Sequence, residues 1–204
     1  MPPRFAPRSP QALAADLVEL VAPLPAPTRV LLDGVGGDEL AGAMVDGLAA
    51  AGRAPLRVSG ADFQRPAGER YARGREDADQ FRDGWLDVGA LRREVLEASG
   101  TWLPALRDAA RDRSARVARR PLPPRAVLLV DGLFLLGLGL PAELVVHVAL
   151  SPGALSRRGV PAWQLPAFRS YEDLVRPGEL CDVLVRGEDP RRPAVLVRQA
   201  PPQA

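Results

Sequence analysis

The stretch VLLDGVGGDELAG, residues 30 to 42, decides how the chain is read. An apolar run ends in Asp33, three glycines follow (Gly34, Gly36 and Gly37), and a helical pattern begins at Glu39 and continues to residue 51. A buried strand turning sharply through glycine into a helix is the corner from which α/β sheets are built. Similar apolar runs recur along the chain: RVLLDG (29–34), PLRVSG (55–60), AVLLVDG (126–132), ELVVHVAL (143–150), DVLVRG (182–187) and AVLVR (194–198). Such short continuous runs suit strands covered on both faces, so an α/β fold with a central, mainly parallel sheet is expected. Helical segments lie between several of them. Ser9 and Pro10 open a helix with the face Leu13, Leu17, Leu20 and Val21, and Asp87 caps another through Glu97.

Composition narrows the function classes. The chain has 204 residues, one cysteine and one histidine, and all 27 basic residues are arginine. Cys181 alone cannot form an internal disulfide, which fits a reducing cytoplasm. His147 alone cannot build a multi-histidine metal site, and no metal site is expected. No apolar run approaches the roughly 20 residues of a membrane helix, and the basic N-terminus lacks a signal-peptide core. The net charge of +2 is too small to suggest nucleic-acid binding. The arginine-rich segment 107–125, interleaved with Asp108 and Asp112, is expected to be a solvated helix face. No internal repeat is visible.

The glycine loop has the front half of a Walker A motif, G-x-x-x-x-G-K-[ST], in which backbone amides, a lysine and a hydroxyl hold phosphate and Mg²⁺. In that register the second glycine is Glu39, the lysine is Leu40 and the hydroxyl is Ala41. Asp38 and Glu39 add negative charge where a polyphosphate would sit, although a helix N-terminus accepts carboxylates as its own caps.

The order of the remaining segments carries a resemblance. RVSGADFQRP (57–66), ERYARGREDADQFRDGWLDVGALRREVLE (69–97) and VLLVDGLFLL (127–136) follow the loop in turn. With it they resemble the uridine kinase family of P-loop kinases, of the actinobacterial type, over residues 29 to 190. The resemblance implies a P-loop three-layer fold with about five parallel strands. It further implies a nucleoside-type acceptor pocket around Arg65, Arg70, Tyr71, Arg73 and Arg75, and an arginine-bearing lid. The lid, around 151–180, is short and offers Arg157, Arg158 and Arg169. The family's acceptor-site base falls at Ala61; Asp62 is its neighbour, and on a strand it would point to the opposite face. Residues 1–28 read as a helix with a Pro-rich linker, 29–198 as the P-loop domain and 199–204 as a disordered tail.

Several candidates have two readings. Asp131, at a strand end, is either a ligand or acid–base group or a cap of the next loop. Asp33 has the same choice, with loop amides as its partners. The arginine cluster either recognises a ligand or pairs with Glu69, Glu76 and Asp77. His147 reads as a satisfied core or edge histidine, Cys181 as structural, and Phe81 and Trp85 as core or pocket wall. The expectation is a protein with a degenerate ATP site, repurposed to bind or convert a small, nucleoside-like molecule or a biosynthetic intermediate without ATP, with Asp131, Asp62 and Asp33 as candidate catalytic groups. No cofactor is expected; ATP and Mg²⁺ enter only with the alternative of a residual nucleoside kinase. A non-catalytic partner subunit is the other alternative, and a homodimer stays open.

Overall fold

The computed structural model describes residues 4–108 and 111–198. In chain order the elements are β1 (Ala6–Pro7), α1 (Pro10–Val21), β2 (Thr28–Asp33), α2 (Gly37–Ala50) and β3 (Ala54–Ser59). Then come α3 (Ala67–Arg70), α4 (Ala78–Gly84), α5 (Val88–Leu91) and four two-residue strands: β4 (Thr101–Trp102), β5 (Arg107–Asp108), β6 (Arg113–Ser114) and β7 (Arg120–Pro121). The chain closes with β8 (Ala126–Gly132), β9 (Leu144–Ala149), α6 (Pro152–Arg157), α7 (Leu165–Leu174), α8 (Pro177–Leu180), β10 (Val183–Arg186) and β11 (Ala194–Val197).

The main sheet has seven strands in the order β1-β11-β10-β9-β2-β8-β3. Five of them, β10-β9-β2-β8-β3, are parallel neighbours. The other two exceed the expected five. β11 runs antiparallel to β10 although its apolar run resembled the parallel ones, and β1 adds to its far edge. The turn between β10 and β11 is too short for a crossover helix, so the return must be antiparallel.

Strand residues alternate between two buried layers. Val30, Leu32, Val127 and Leu129 pack against Leu13, Leu17, Met44 and Leu48 of α1 and α2. Leu31, Leu128 and Val130 face Phe63, Phe81, Leu91 and Val95 on the opposite side. Each fully buried leucine contributes about 1.5–3 kcal/mol, so the two-sided cover explains why these runs are continuously apolar. α1 lies directly on α2: a Cβ on Gly47 would sit 3.0 Å from Val18. The N-terminal helix is thus part of this core, and residues 199–204, expected as a tail, lie outside the described residues.

Ser9 caps α1 by accepting from the Ala12 amide at 3.2 Å, and Asp87 caps α5 by accepting from Ala90 at 2.9 Å. The helix opened by Asp87 widens into a π turn over Arg92–Leu96, with Glu97 N bonding to Arg92 O. The described residues of segment 107–125 form no helix, contrary to expectation. Asp112 and Arg116 adopt positive φ, and Pro121, Pro123 and Pro124 remove helix donors, so the chain forms the small ribbons β5–β6 and β4–β7.

Candidate functional site

The glycine corner owes its shape to close backbone approach. Gly34 and Gly36 have φ of 105° and 101°, and the Gly34 amide donates to Gly132 O at 2.8 Å, tying the loop to the end of β8. A Cβ on Gly34 would lie 2.5 Å from Val148 O, and one on Gly37 would lie 2.4 Å from Leu32 O. Gly36 caps α2, whose first turn carries Asp38 and Glu39. Leu40 and Ala41 are buried in the layer that α2 shares with β2. The Asp38 carbonyl accepts from Arg57 at 2.9 Å, and Glu39 pairs with Arg158 at 3.5 Å.

Beside the loop, at the carboxyl ends of β3 and β8, lies a cavity of about 360 Å³. Asp131, Ser59, Gln64, Arg82, Trp85 and Phe134 are among its walls. Asp131 is 6% exposed, and its Oδ2 accepts from the Ser59 hydroxyl at 3.1 Å. Burial pushes the Asp131 carboxyl above the usual carboxylate range; the Ser59 hydrogen bond opposes this, and Asp38 adds to it. Arg82 is held in place by Asp83 at 2.6–2.7 Å and by Ser170.

Asp62 is not on a strand. β3 ends at Ser59, and Gly60–Phe63 form a 3-10 turn that brings Ala61, not Asp62, to the cavity wall. Ala61 and Asp62 are thus successive residues of a turn and do not occupy opposite faces of a strand. Burial raises the Asp62 carboxyl, and Asp108 raises it further.

None of Arg65, Arg70, Tyr71, Arg73 and Arg75 lines this cavity. Arg70 is 6% exposed, binds Asp112 at 2.9 Å and the Arg65 carbonyl at 2.9 Å, and stacks on Tyr71 and Trp85 with centroid distances of 5.0 and 5.1 Å. Trp85 returns a hydrogen bond to Arg70 O at 3.1 Å. Arg75 also lies over Tyr71, Arg65 pairs with Glu69, and Arg73 is exposed. The cluster holds Trp85, which forms part of the wall, from behind.

A second polar group occupies the carboxyl ends of β2 and β9. Asp33 has no exposed surface; its Oδ1 accepts from the Leu135 amide at 2.8 Å, and its Oδ2 from His147 Nδ1 at 2.7 Å and Tyr171 OH at 3.0 Å. His147 Nε2 meets Glu172 at 3.1 Å. Burial by itself would lower the imidazole pKa, but the hydrogen bonds to Asp33 and Glu172 together raise it to about 9. Burial and the nearby Asp33 carboxylate push the Tyr171 phenol up. Sequence reading placed Asp33 and His147 on strands but could not pair them, because their contact depends on the β2–β9 register, in which they are direct partners. Tyr171 and Glu172 were missed, since an ordinary helix pattern surrounds them.

This group borders a second cavity of about 190 Å³, between the loop, β9 and α7. Phe134, at a φ of 60°, lines both cavities. Its left-handed backbone, costly for a bulky residue, is held by the Leu135 amide on Asp33 and the Leu136 amide on Tyr171 OH at 2.9 Å. Of the short lid's arginines, Arg158 reaches over Gly36, Arg157 approaches Glu188 at 3.9 Å and Arg169 borders the second cavity. Cys181 is buried and its thiol is pushed up to about 11. Among the described residues no cluster of three or more His, Cys, Asp or Glu side chains is arranged for a metal, and no helix is long and apolar enough to cross a membrane.

No protein-family model matches the chain, and no curated protein matches it. Solved structures do. A possible uridine kinase from Bacillus stearothermophilus is similar at 20% identity and a TM-score of 0.65, over 84% of this chain and 96% of that one. A candidate fructose transport system kinase from Silicibacter sp. TM1040 is similar at 18% identity and a TM-score of 0.54, over 85% and 95% of the two chains. The chain shares the P-loop kinase fold of these proteins.

Proposed function

We propose that this chain is a uridine-kinase-like protein that binds a small, nucleoside-like molecule or a related biosynthetic intermediate in the Asp131 cavity, without ordinary use of ATP. One juxtaposition carries the proposal. A buried carboxyl with one side-chain partner among the described residues faces an aromatic-walled cavity, next to a loop whose lysine and hydroxyl positions are the buried Leu40 and Ala41. The residues present do not fit Mg·ATP. The loop offers no cationic side chain of its own, Asp38 and Glu39 repel polyphosphate, and both Asp33 oxygens are already engaged. Preorganised charge in such a site is commonly worth about 10²–10³ in rate, so losing it leaves little phosphoryl transfer.

Within the cavity, Trp85 and Phe81 supply flat apolar surface for a ring and Gln64 supplies a donor and an acceptor. Asp131 is suited to accept a hydrogen bond from a ligand hydroxyl or, once protonated, to donate one. The cavity size lies within the ~300–1,000 Å³ usual for small-molecule sites. In calorimetric titrations Mg·ATP is expected to give no binding heat. Uridine, as the first probe, is expected to bind, and Asp131→Asn to weaken it about tenfold with the fold intact. Uridine binding unaffected by Asp131→Asn would refute the role of Asp131.

One observation favours a second reading, a residual nucleoside kinase that uses arginine in place of lysine: the Arg158 guanidinium lies over the Gly36 turn. That reading predicts Mg²⁺-dependent ADP formation with uridine, lost in Arg158→Ala. Its absence at high enzyme concentration eliminates it for that acceptor.

A further inference from the structure

The cavity between the loop, β9 and α7 adjoins the one that Asp131 faces; Gly34, Val35 and Phe134 line both. Its polar floor is held from behind. Asp33 is fully buried with both oxygens engaged, so it fixes the His147 ring through Nδ1 and leaves Nε2 for whatever lies on the other side. What lies there is Glu172, at 3.1 Å, whose side chain is 49% exposed. The two carboxylates on the imidazole thus differ. Asp33 is permanent, whereas Glu172 is half hydrated already and loses little by turning into water.

Arg169, three residues earlier on α7, borders the same cavity and makes no ion pair among the described residues. The remaining walls are mainly apolar and include Leu150, Leu155, Leu165 and Phe168. We infer that this cavity is a binding site for a small monocarboxylate with a short apolar tail. Its carboxylate displaces Glu172 from His147 Nε2 and pairs with Arg169, and its tail lies against Leu155, Leu165 and Phe168.

Charge and size both favour this ligand class. With Glu172 in water, the ligand carboxylate takes over its place on His147 Nε2 opposite Asp33, and Arg169 neutralises the one incoming negative charge; Glu172 and Asp173, at the rim, are exposed and solvated. A phosphate dianion would bring a second charge toward the buried Asp33. A cation would meet an imidazole already held in its protonated form at neutral pH. At about 190 Å³ the cavity is smaller than the roughly 300 Å³ at which drug-sized sites begin, which limits the tail to a short one. The inference does not depend on the Asp131 cavity having any ligand.

His147 is the one histidine of the chain, so its ring resonances in a nitrogen–proton correlation spectrum need no assignment. Titration of the whole protein with butyrate near neutral pH is expected to shift the Nε2 resonance saturably. Glu172→Ala, which removes the internal competitor, should tighten butyrate roughly two- to fivefold. Arg169→Ala should abolish the shift at the same concentrations. Both substituted side chains are exposed, and a cooperative thermal unfolding transition in each variant, lower for Glu172→Ala by the support it gives the imidazole, would confirm that the variants are folded. Butyramide, of the same shape without the charge, and inorganic phosphate should leave the resonance in place. The inference is overturned by no butyrate shift in both the native protein and Glu172→Ala, by an equal response to butyramide, or by a response to phosphate alone. Affinity unchanged by Glu172→Ala or by Arg169→Ala would remove the displacement or the pairing on which it rests.

Discussion

Raising the pH through the neutral range should destabilise this protein by an amount that one residue controls. His147 carries a pKa of about 9 in the fold against an ordinary value of 6.5, so the native state binds its proton more tightly than the unfolded chain does. The sign follows by linkage. Below about pH 6.5 both states are protonated and the full contribution is present; as pH rises toward 9 the unfolded chain has released its proton and the advantage disappears. The difference of about 2.5 units corresponds to roughly 3 kcal/mol in all, of which about 2 kcal/mol is lost between pH 6.5 and about 8.5. The groups that set this shift are Asp33 behind the ring and Glu172 in front of it. Cys181, pushed up to about 11 from 9, begins to contribute only above the window. For a chain of 204 residues the loss corresponds to a melting temperature lower by roughly 4–8 °C. Urea unfolding at successive pH values measures it, with His147→Gln as the control that should flatten the slope. A native slope below about 0.3 kcal/mol per pH unit, or a slope that survives in His147→Gln, would refute the coupling of the imidazole to its carboxylates.

Two alanine substitutions in α2 should act in opposite directions. Gly37→Ala, with its Cβ 2.4 Å from Leu32 O, should cost about 1–3 kcal/mol or more, whereas Gly42→Ala, whose nearest neighbour is the Arg57 guanidinium at 3.4 Å, should gain up to about 1 kcal/mol; urea midpoints decide. Arg53, 6% exposed, donates to the carbonyls of Ala22 and Leu24 at 2.8 Å and to the Thr28 hydroxyl at 2.6 Å. Arg53→Met should therefore cost about 3 kcal/mol by leaving these acceptors unpaired, seen as a lower melting temperature.

The five parallel strands were legible because burial on both faces forces continuous apolar runs, and a run's ends mark the edge where side chains such as Asp33 and Asp131 meet the loops. The rest depended on contacts distant in sequence. Arg70 looked like a ligand-binding group because nothing near it announces Asp112, 42 residues on, in a stretch that reads as a solvated helix until its prolines and positive-φ turns are given their weight. His147 looked satisfied, which it is, but the identity of its partners is a matter of strand register. A shift of β9 by one residue against β2 would turn its ring to the opposite layer. Tyr171 and Glu172 come from a helix whose rotation about its axis no local pattern specifies.

The glycines that first suggested a nucleotide loop turn out to be weak witnesses for one. Gly34 and Gly37 are required by the carbonyl oxygens of Val148 and Leu32, which belong to the sheet and would stand there with or without a phosphate. Any chain that turns this tightly from β2 into α2 must keep them. The positions that answer to a triphosphate are those the corner leaves free, 39 to 41, and there the chain has a glutamate paired with Arg158, a leucine and an alanine, the last two buried in the α2 layer. A lysine in place of Leu40 would have to leave that layer to reach the loop. The triple substitution Glu39→Gly, Leu40→Lys and Ala41→Ser should therefore lower stability, by roughly the 1.5–3 kcal/mol of one buried leucine, before it could restore any affinity for Mg·ATP. If the triple variant bound Mg·ATP at no cost in melting temperature, residues 39 to 41 would be a recent loss from a nucleotide site; a stability cost without binding would mean that the corner has been repacked as part of the core.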